Sequence, residues 1–250
     1  MSAPVVSIIM PCYQMASYIG KAIEGVMAQS FDDWELLIVD DASDDGTPNV
    51  VKTYLEKDNR IGLAVKERHS GIADTRNLAI NMARGRFLAF HDADDVWHPD
   101  KLEKQLAFME EKQAGISYTA YDWIDTEGNS LNKIIHTAGD LDYDKYLKNT
   151  IIGCSSVMVD RNVVGEVDVP SFRTSEDMAT WLTILKKGHL AYALELPLMS
   201  YRIRPHSASS NKFKAAMDVW SVYRKHERFS VFKTLRYFFS YAFNAIKKRL

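Results

Sequence analysis

The chain is poor in the residues that build disulfide or zinc frameworks, holding only two cysteines, Cys12 and Cys154, in 250 residues. They are far apart and form no CxxC pair, so a cystine scaffold and a cysteine-based zinc site are both excluded, and a reducing cytoplasm fits. No uncharged run approaches the ~20 residues needed to span a bilayer. The opening "MSAPVVSIIMP" has no basic segment or export-length apolar run, so neither an exported nor an integral protein is expected. A Gly-rich phosphate loop is also missing: "PCYQMASYIG" follows the first apolar run, where a nucleotidyltransferase would need glycines and a cation.

Charge is present but unevenly spread. The net charge is −2, yet residues 224 to 250 carry eight Lys or Arg against one acid, Glu227, so the tail is +7 and the remainder −9. An acidic body argues against nucleic acid as the partner, because the basic charge lies outside the acidic candidate site. In the tail, Phe232, Leu235, Phe239, Phe243, Ile246 and Leu250 recur at spacings of three and four, an apolar helical stripe. Two readings stay open for it. The stripe is buried against the body, or it lies on anionic lipid with Lys and Arg at the head groups.

The first hundred residues alternate strand and helix patterns. "VVSIIMP", "WELLIVDD", "IGLAVKE" and "RFLAFHD" are rich in Val, Ile, Leu and Phe with little polar alternation, as strands covered on both faces are. Between them, Ile19, Ile23 and Val26 share a helical face, and "IADTRNLAINMARG" ends in a helix-stop signal. This alternation predicts an α/β fold with a mostly parallel sheet. Pro99 suits the start of a helix carrying Leu102, Leu106 and Met109, and "AGISYTAYDWIDTEGNSL" suits a strand and a turn at Glu127-Gly128-Asn129 leading to another extended piece.

Ligands of such sheets bind at the carboxyl ends of the strands. Three candidate strands end there in polar residues: Cys12-Tyr13-Gln14, Asp40-Asp41 and Asp92-Ala93-Asp94-Asp95. A D-x-D pair can hold Mg²⁺ or Mn²⁺ through hard oxygen ligands shared with substrate phosphates. It can equally be a turn followed by a helix-capping acid. Alone, the spacing does not choose.

Taken in order, "SIIMPCYQ", "LLIVDDASDDGT", "GIADTRNLAINMARGRFLAFHDADDVWHPDKL" and "SEDMATWLTILKKG" resemble the family 2 glycosyltransferases, inverting enzymes of the GT-A fold. The resemblance runs from about Val5 to Ser209. It implies a catalytic domain over residues 1–210 and a basic aromatic helical extension over 211–250. Pro11 and Tyr13 would meet the nucleotide base, and Asp40 or Asp41, with preference for Asp41, the base or ribose. Arg76 and Asn77 would contact the nucleotide or its phosphates, Asp94 the metal, and Asp92 the metal or ribose. Glu176-Asp177 matches the motif whose aspartate is the general base, although Thr174 three residues earlier also suggests a capping box. Arg202 and Arg204 fall in a segment implied to meet the diphosphate or an acidic acceptor, where His206 would be a metal ligand or phosphate contact. Arg204 and His206 depart from the common residues there, as do Gln14, His69 and His91 elsewhere.

The implied activity is transfer of a hexose or N-acetylhexosamine from a nucleotide sugar, a UDP-sugar first, to a hydroxyl of a glycan, in bacterial surface-polysaccharide assembly. The implied cofactor is Mn²⁺ or Mg²⁺, the acceptor a lipid-linked oligosaccharide, and the location the cytoplasm with peripheral attachment to the membrane. The rival readings are a non-catalytic, membrane-associated nucleotide-sugar binder and a nucleotidyltransferase.

Overall fold

The computed structural model describes residues 3–205 and 212–247. Strands β1 (Val6–Cys12), β2 (Trp34–Asp40), β3 (Ile61–Val65) and β4 (Phe87–Phe90) pair in parallel, in the order β3-β2-β1-β4. Every residue of β1, β2 and β4 is buried, which accounts for their mostly apolar character; the buried Ser7 hydroxyl donates to Glu35 at 2.7 Å. Helices α1 (Ile19–Met27), α2 (Thr47–Leu55) and α3 (Ile72–Met82) provide the crossovers. The apolar residues divide into two clusters: Ile9, Val39 and Phe90 belong to one, Ile8, Ile38 and Ala89 to the other. Alternate strand residues serve opposite faces, so a helical layer is needed on each.

Beyond β4 the sheet becomes mixed. The two-residue β5 (Val96–Trp97) precedes α4 (Lys101–Lys112), and β6 (Ile116–Ile124) turns into β7 (Ser130–Ile135) through Gly128, at φ 93°. After α5 (Tyr143–Lys148) come β8 (Met158–Asp160), α6 (Arg161–Val164), α7 (Glu176–Lys186) and the long β9 (Ala191–Arg202). The sheet order continues β4-β8-β6-β9-β5, with β8 antiparallel to β4 and β7 hanging on β6. The helix after the aspartates starts later than Pro99 suggests: Asp100 is its N-cap, without a side-chain cap bond.

The chain ends in α8 (Lys212–Ser221), a short π-helical turn at Val222–His226, and α9 (Val231–Lys247). These helices share the main apolar cluster, to which they add Val219, Val222, Tyr223, Phe229 and Tyr237. The tail stripe does not face that cluster. Phe232, Phe239 and Phe243 are 85%, 69% and 71% exposed, while the packed face of α9 is Thr234, Tyr237, Phe238 and Tyr241. Of the two readings, burial of the Phe stripe against the body is the one the structure does not show: Tyr237 docks instead, its hydroxyl donating to Asp144 at 2.7 Å. Ile246 and Leu250 lie outside the described side chains.

Candidate active site

The carboxyl ends of β1, β2 and β4 open on one cavity of about 810 Å³, bordered by Pro11, Tyr13, Asp41, Arg76, Asp92, Asp94, Glu176, Asp177 and Arg204. These sequence-predicted residues are brought together although they lie up to some 190 positions apart in the chain. Tyr13 is half-exposed at the rim, its ring 4.3 Å from that of His69. The chain reverses after β1 and β2 through Gln14 and Ala42, both in the left-handed region (φ 55° and 63°), which turns Tyr13 and Asp41 toward the same opening.

Asp41 is fixed from several sides. It accepts from Lys66 Nζ (2.7 Å), the Ser70 amide (3.0 Å) and the Gly71 amide (2.8 Å), and His69 Nδ1 stands 2.9 Å away. Burial works against its charge, yet these bonds hold its carboxyl below the ordinary range. Gly71, at φ 97°, allows the loop to offer its amide while opening α3. Asp40 plays a different part. Fully buried, it accepts from the Ser43 amide at 2.9 Å and the Cys12 thiol at 3.5 Å, and does not border the cavity.

Arg76 is the centre of charge. Its Nη1 donates to Glu176 at 3.0 Å and its Nη2 to Asp92 at 2.8 Å, with the residue 2% exposed and Nε unpartnered. Burial disfavours the guanidinium, but Cys154, Asp92, Glu176 and Asp177 around it raise its pKa above the ordinary value. It thus ties the D-x-D turn to the start of α7. Its neighbour Asn77 is a correction to the sequence reading. Both ends of its amide are used by Val169, donating to the carbonyl at 2.9 Å and accepting from the amide at 2.8 Å, away from the cavity.

The D-x-D turn is held by groups the motif does not name. Ser155 Oγ accepts the Asp92 amide (2.9 Å) and donates to Asp95 (2.5 Å), while Trp97 Nε1 donates to the Ser155 carbonyl (2.9 Å). Asp95 does not cap the next helix. It is buried, accepts the Arg202 amide at 3.0 Å, and its carboxyl is pushed well up by burial and by Asp94 and Asp92. Arg202 is likewise corrected from a diphosphate contact to a brace. It donates to the carbonyls of Asp94 (2.8 Å), Asp125 (2.9 Å) and Thr126 (3.1 Å), and does not border the cavity. Arg204 does border it, with Nε 2.6 Å from Asp94 Oδ2. Burial raises the Asp94 pKa, Arg204 opposes that, and Asp92 adds to it. His206 lies outside the described residues.

Among the described residues, no three His, Cys, Asp or Glu side chains gather into a protein-only metal cage. The donor set is nevertheless of the right kind for a hard cation, because Asp92 and Asp94 offer carboxylate oxygens beside a cavity large enough for phosphates.

Asp177 is the second residue of α7 and borders the cavity half-buried, its Oδ1 accepting its neighbour Met178's amide at 2.6 Å. Burial and the charge of Glu176 push its carboxyl up to about 7, against the opposing effect of Arg76. A carboxylate poised near neutrality suits proton transfer. The capping box expected from Thr174 is absent. Its hydroxyl bonds Asp218 of α8, and Ser175 occupies the N-cap without a side-chain bond. Residues the sequence reading missed include Lys66 and Ser155, both polar partners whose positions only the folded loops reveal.

A half-parallel sheet whose carboxyl rim gathers a D-x-D turn, a buried arginine and a carboxyl near neutrality defines a GT-A type nucleotide-sugar transferase. The chain belongs to glycosyl transferase family 2, whose pattern matches residues 7–166. It is 47% identical over 99% of its length, and 98% of the relative's, to a protein of Bacillus subtilis described as a candidate teichuronic acid biosynthesis glycosyltransferase, TuaG. It is 38% identical over 87% of its length, and 84% of the relative's, to WfgD of Escherichia coli, a UDP-Glc:α-D-GlcNAc-diphosphoundecaprenol β-1,3-glucosyltransferase. Its fold is similar to Staphylococcus aureus TarS 1–349 solved with UDP-GlcNAc (TM-score 0.69, 18% identity, 93% of this chain and 70% of that one). It is similar too to the Pyrobaculum calidifontis mannosyltransferase PcManGT solved with GDP-Man and Mn²⁺ (TM-score 0.69, 20% identity, 92% and 66%). The protein is a glycosyltransferase.

Proposed function

We propose that this glycosyltransferase moves a hexose or N-acetylhexosamine from a UDP-sugar to a hydroxyl of a lipid-linked glycan, with inversion, during assembly of a bacterial surface polysaccharide. The observation that carries this reading is the placing of Asp177, at the start of α7, on the same cavity as the D-x-D turn. Relatives supply the substrate classes: WfgD is named for a UDP-Glc donor and a diphosphoundecaprenol-linked acceptor, and TuaG for teichuronic acid synthesis.

In the proposed reaction Asp177 removes the proton of the acceptor hydroxyl as that oxygen bonds to the anomeric carbon from the face opposite the nucleotide. The bond between that carbon and the diphosphate breaks, and its electrons leave with UDP. Tyr13 and Asp41 bind the base and ribose. Arg76 holds Asp92 and Glu176 in register, so the donor end and the base keep a fixed separation. Mn²⁺ or Mg²⁺ held by Asp94 and Asp92 together with the diphosphate would supply charge neutralisation of the leaving group. Arg204, at the cavity wall beside Asp94, adds a second cation for the same charge.

The setting we propose is the cytoplasmic face of the membrane, reached through α9. No helix among the described residues is long and apolar enough to cross a bilayer. The outward Phe232, Phe239 and Phe243, with Lys233 and Arg236 exposed on the same helix, suit an interface with anionic lipid. The test of the reaction is a panel of nucleotide sugars scored for metal-dependent donor hydrolysis and for transfer. Asp94→Ala and Asp177→Asn are each expected to abolish transfer in a folded protein. Full activity in either variant removes that residue from its role.

A further inference from the structure

We propose that α9 completes a subsite for the acceptor saccharide, in which a pyranose ring lies on an aromatic platform of Trp123 and Tyr201 beneath Asn244 and Ala245. This rests on the reading above that the acceptor is a glycan.

The cavity has two chemically different ends. Around Asp41, Arg76, Asp92, Asp94 and Arg204 it is charged, as a nucleotide diphosphate requires. Elsewhere its wall includes the sheet residues Tyr121, Trp123 and Tyr201, residues 149, 150 and 152–154 of a loop, and Tyr241, Asn244 and Ala245 of α9. The sheet rings are contiguous. Trp123 is paired with Tyr201 across β6 and β9, and the Tyr121 and Tyr201 ring centroids are 5.9 Å apart. Gly153 brings the loop onto them, since a Cβ there would lie 3.3 Å from the Tyr121 ring. Asn244 ties α9 to the same region, donating to the Lys148 carbonyl at 2.9 Å.

This part of the wall is made largely of rings, the Asn149 and Asn244 amides and the Thr150 hydroxyl, with Lys133 Nζ 5.1 Å from the Trp123 ring centroid. Arg173 also borders the cavity but is paired with Asp218 at 2.5 Å. A pyranose matches such a surface, because its C–H face is apolar enough to stack on an aromatic ring while its hydroxyls exchange hydrogen bonds with amides. The platform and the proposed base border the same cavity. A sugar stacked there would share that cavity with Asp177. The opposite face of α9 carries Phe239 and Phe243, so one helix bounds the subsite and presents the surface suited to lipid, as a lipid-linked acceptor needs.

The test uses the full chain with UDP bound, titrated calorimetrically with p-nitrophenyl pyranosides and a short-chain alkyl diphospho-N-acetylglucosamine. The wild-type protein is expected to bind at least one of them. Ala245→Trp, which fills the subsite, and Trp123→Ala are each expected to weaken that binding at least tenfold, with UDP affinity within twofold and Trp123→Phe restoring most of the loss. Unchanged glycoside affinity in Ala245→Trp, or no glycoside binding by the wild type, overturns the proposal. A wild-type chain that neither binds UDP nor hydrolyses any nucleotide sugar would instead remove the functional reading beneath it.

Discussion

The charge of Glu176 should set the pH at which the enzyme works. Asp177 is raised from 3.8 to about 7, first by burial and then by Glu176, while Arg76 pulls the other way. Glu176→Gln keeps an oxygen to accept from Arg76 Nη1 and removes one negative charge next to Asp177 in the chain. It also leaves Arg76 with one fewer counter-charge, so both effects stabilise the Asp177 carboxylate. At an effective dielectric near 20, a unit charge several ångströms away shifts a pKa by on the order of one unit. The base acts only when deprotonated, so activity rises with pH through its pKa and a lower pKa moves the acid limb to lower pH. With a pKa of about 7, the wild-type base is roughly 10% deprotonated at pH 6, and the variant, at roughly 6, about half. The assay is the pH dependence of kcat/KM for transfer at saturating metal, each protein scaled to its own plateau. The variant should retain about fivefold more of its plateau rate at pH 6 than the wild type does. An acid limb that stays in place, or moves to higher pH, refutes the assignment of Asp177 as a base tuned by Glu176.

Further outcomes follow from the packing and the surface. Gly85→Ala should destabilise the fold by roughly 1–3 kcal/mol in chemical denaturation, because its Cβ would meet the Ser7 amide nitrogen at 2.6 Å and the Val6 carbonyl carbon at 2.8 Å, both rigid backbone of β1. Lys101 is fully buried over the Trp97 ring at 4.5 Å, and burial pushes its pKa down to about 7. The unfolded chain therefore holds more protons between pH 7 and 10, and wild-type stability gains from this group as pH rises. The stability of Lys101→Met relative to wild type should accordingly fall between pH 6 and pH 9; a constant difference in melting temperature would show that the ammonium is not strained. Phe239→Ser with Phe243→Ser should reduce co-flotation with anionic vesicles while leaving nucleotide affinity unchanged, and undiminished flotation would place membrane contact elsewhere.

The parallel half of the fold was legible because buried strands leave their mark directly: β1, β2 and β4 are apolar at nearly every position and buried on both faces. In the mixed half only the strand, turn and extended piece that form β6 and β7 were legible, since β8 has only three residues and β5 two, too short for any periodicity to register. At the site, residue type and order located Tyr13, Asp41, Asp92, Asp94 and Asp177 on one cavity. They could not separate ligand contacts from braces. Asn77 and Arg202 carry the right chemistry, but their hydrogen bonds run to Val169 and to three backbone carbonyls, partners set by loops distant in sequence.

The same distinction explains why the aspartate cluster has its particular composition. Asp92, Asp94 and Asp95 are close in sequence, yet each is given a different partner: Arg76, Arg204 and the hydroxyl of Ser155. Three ionised carboxylates left facing one another would repel, and burial would push protons onto them. Two are instead matched to guanidinium groups. The third is buried with its pKa raised, and serves as a fastening point for the Arg202 amide and Ser155. The turn is thus held in shape without relying on a cation, and a cation shared with a diphosphate would have to compete with Arg204 for Asp94. Under the proposed function that competition would tie metal binding to the presence of the donor, since a diphosphate would provide both further oxygen ligands and an alternative anion for Arg204.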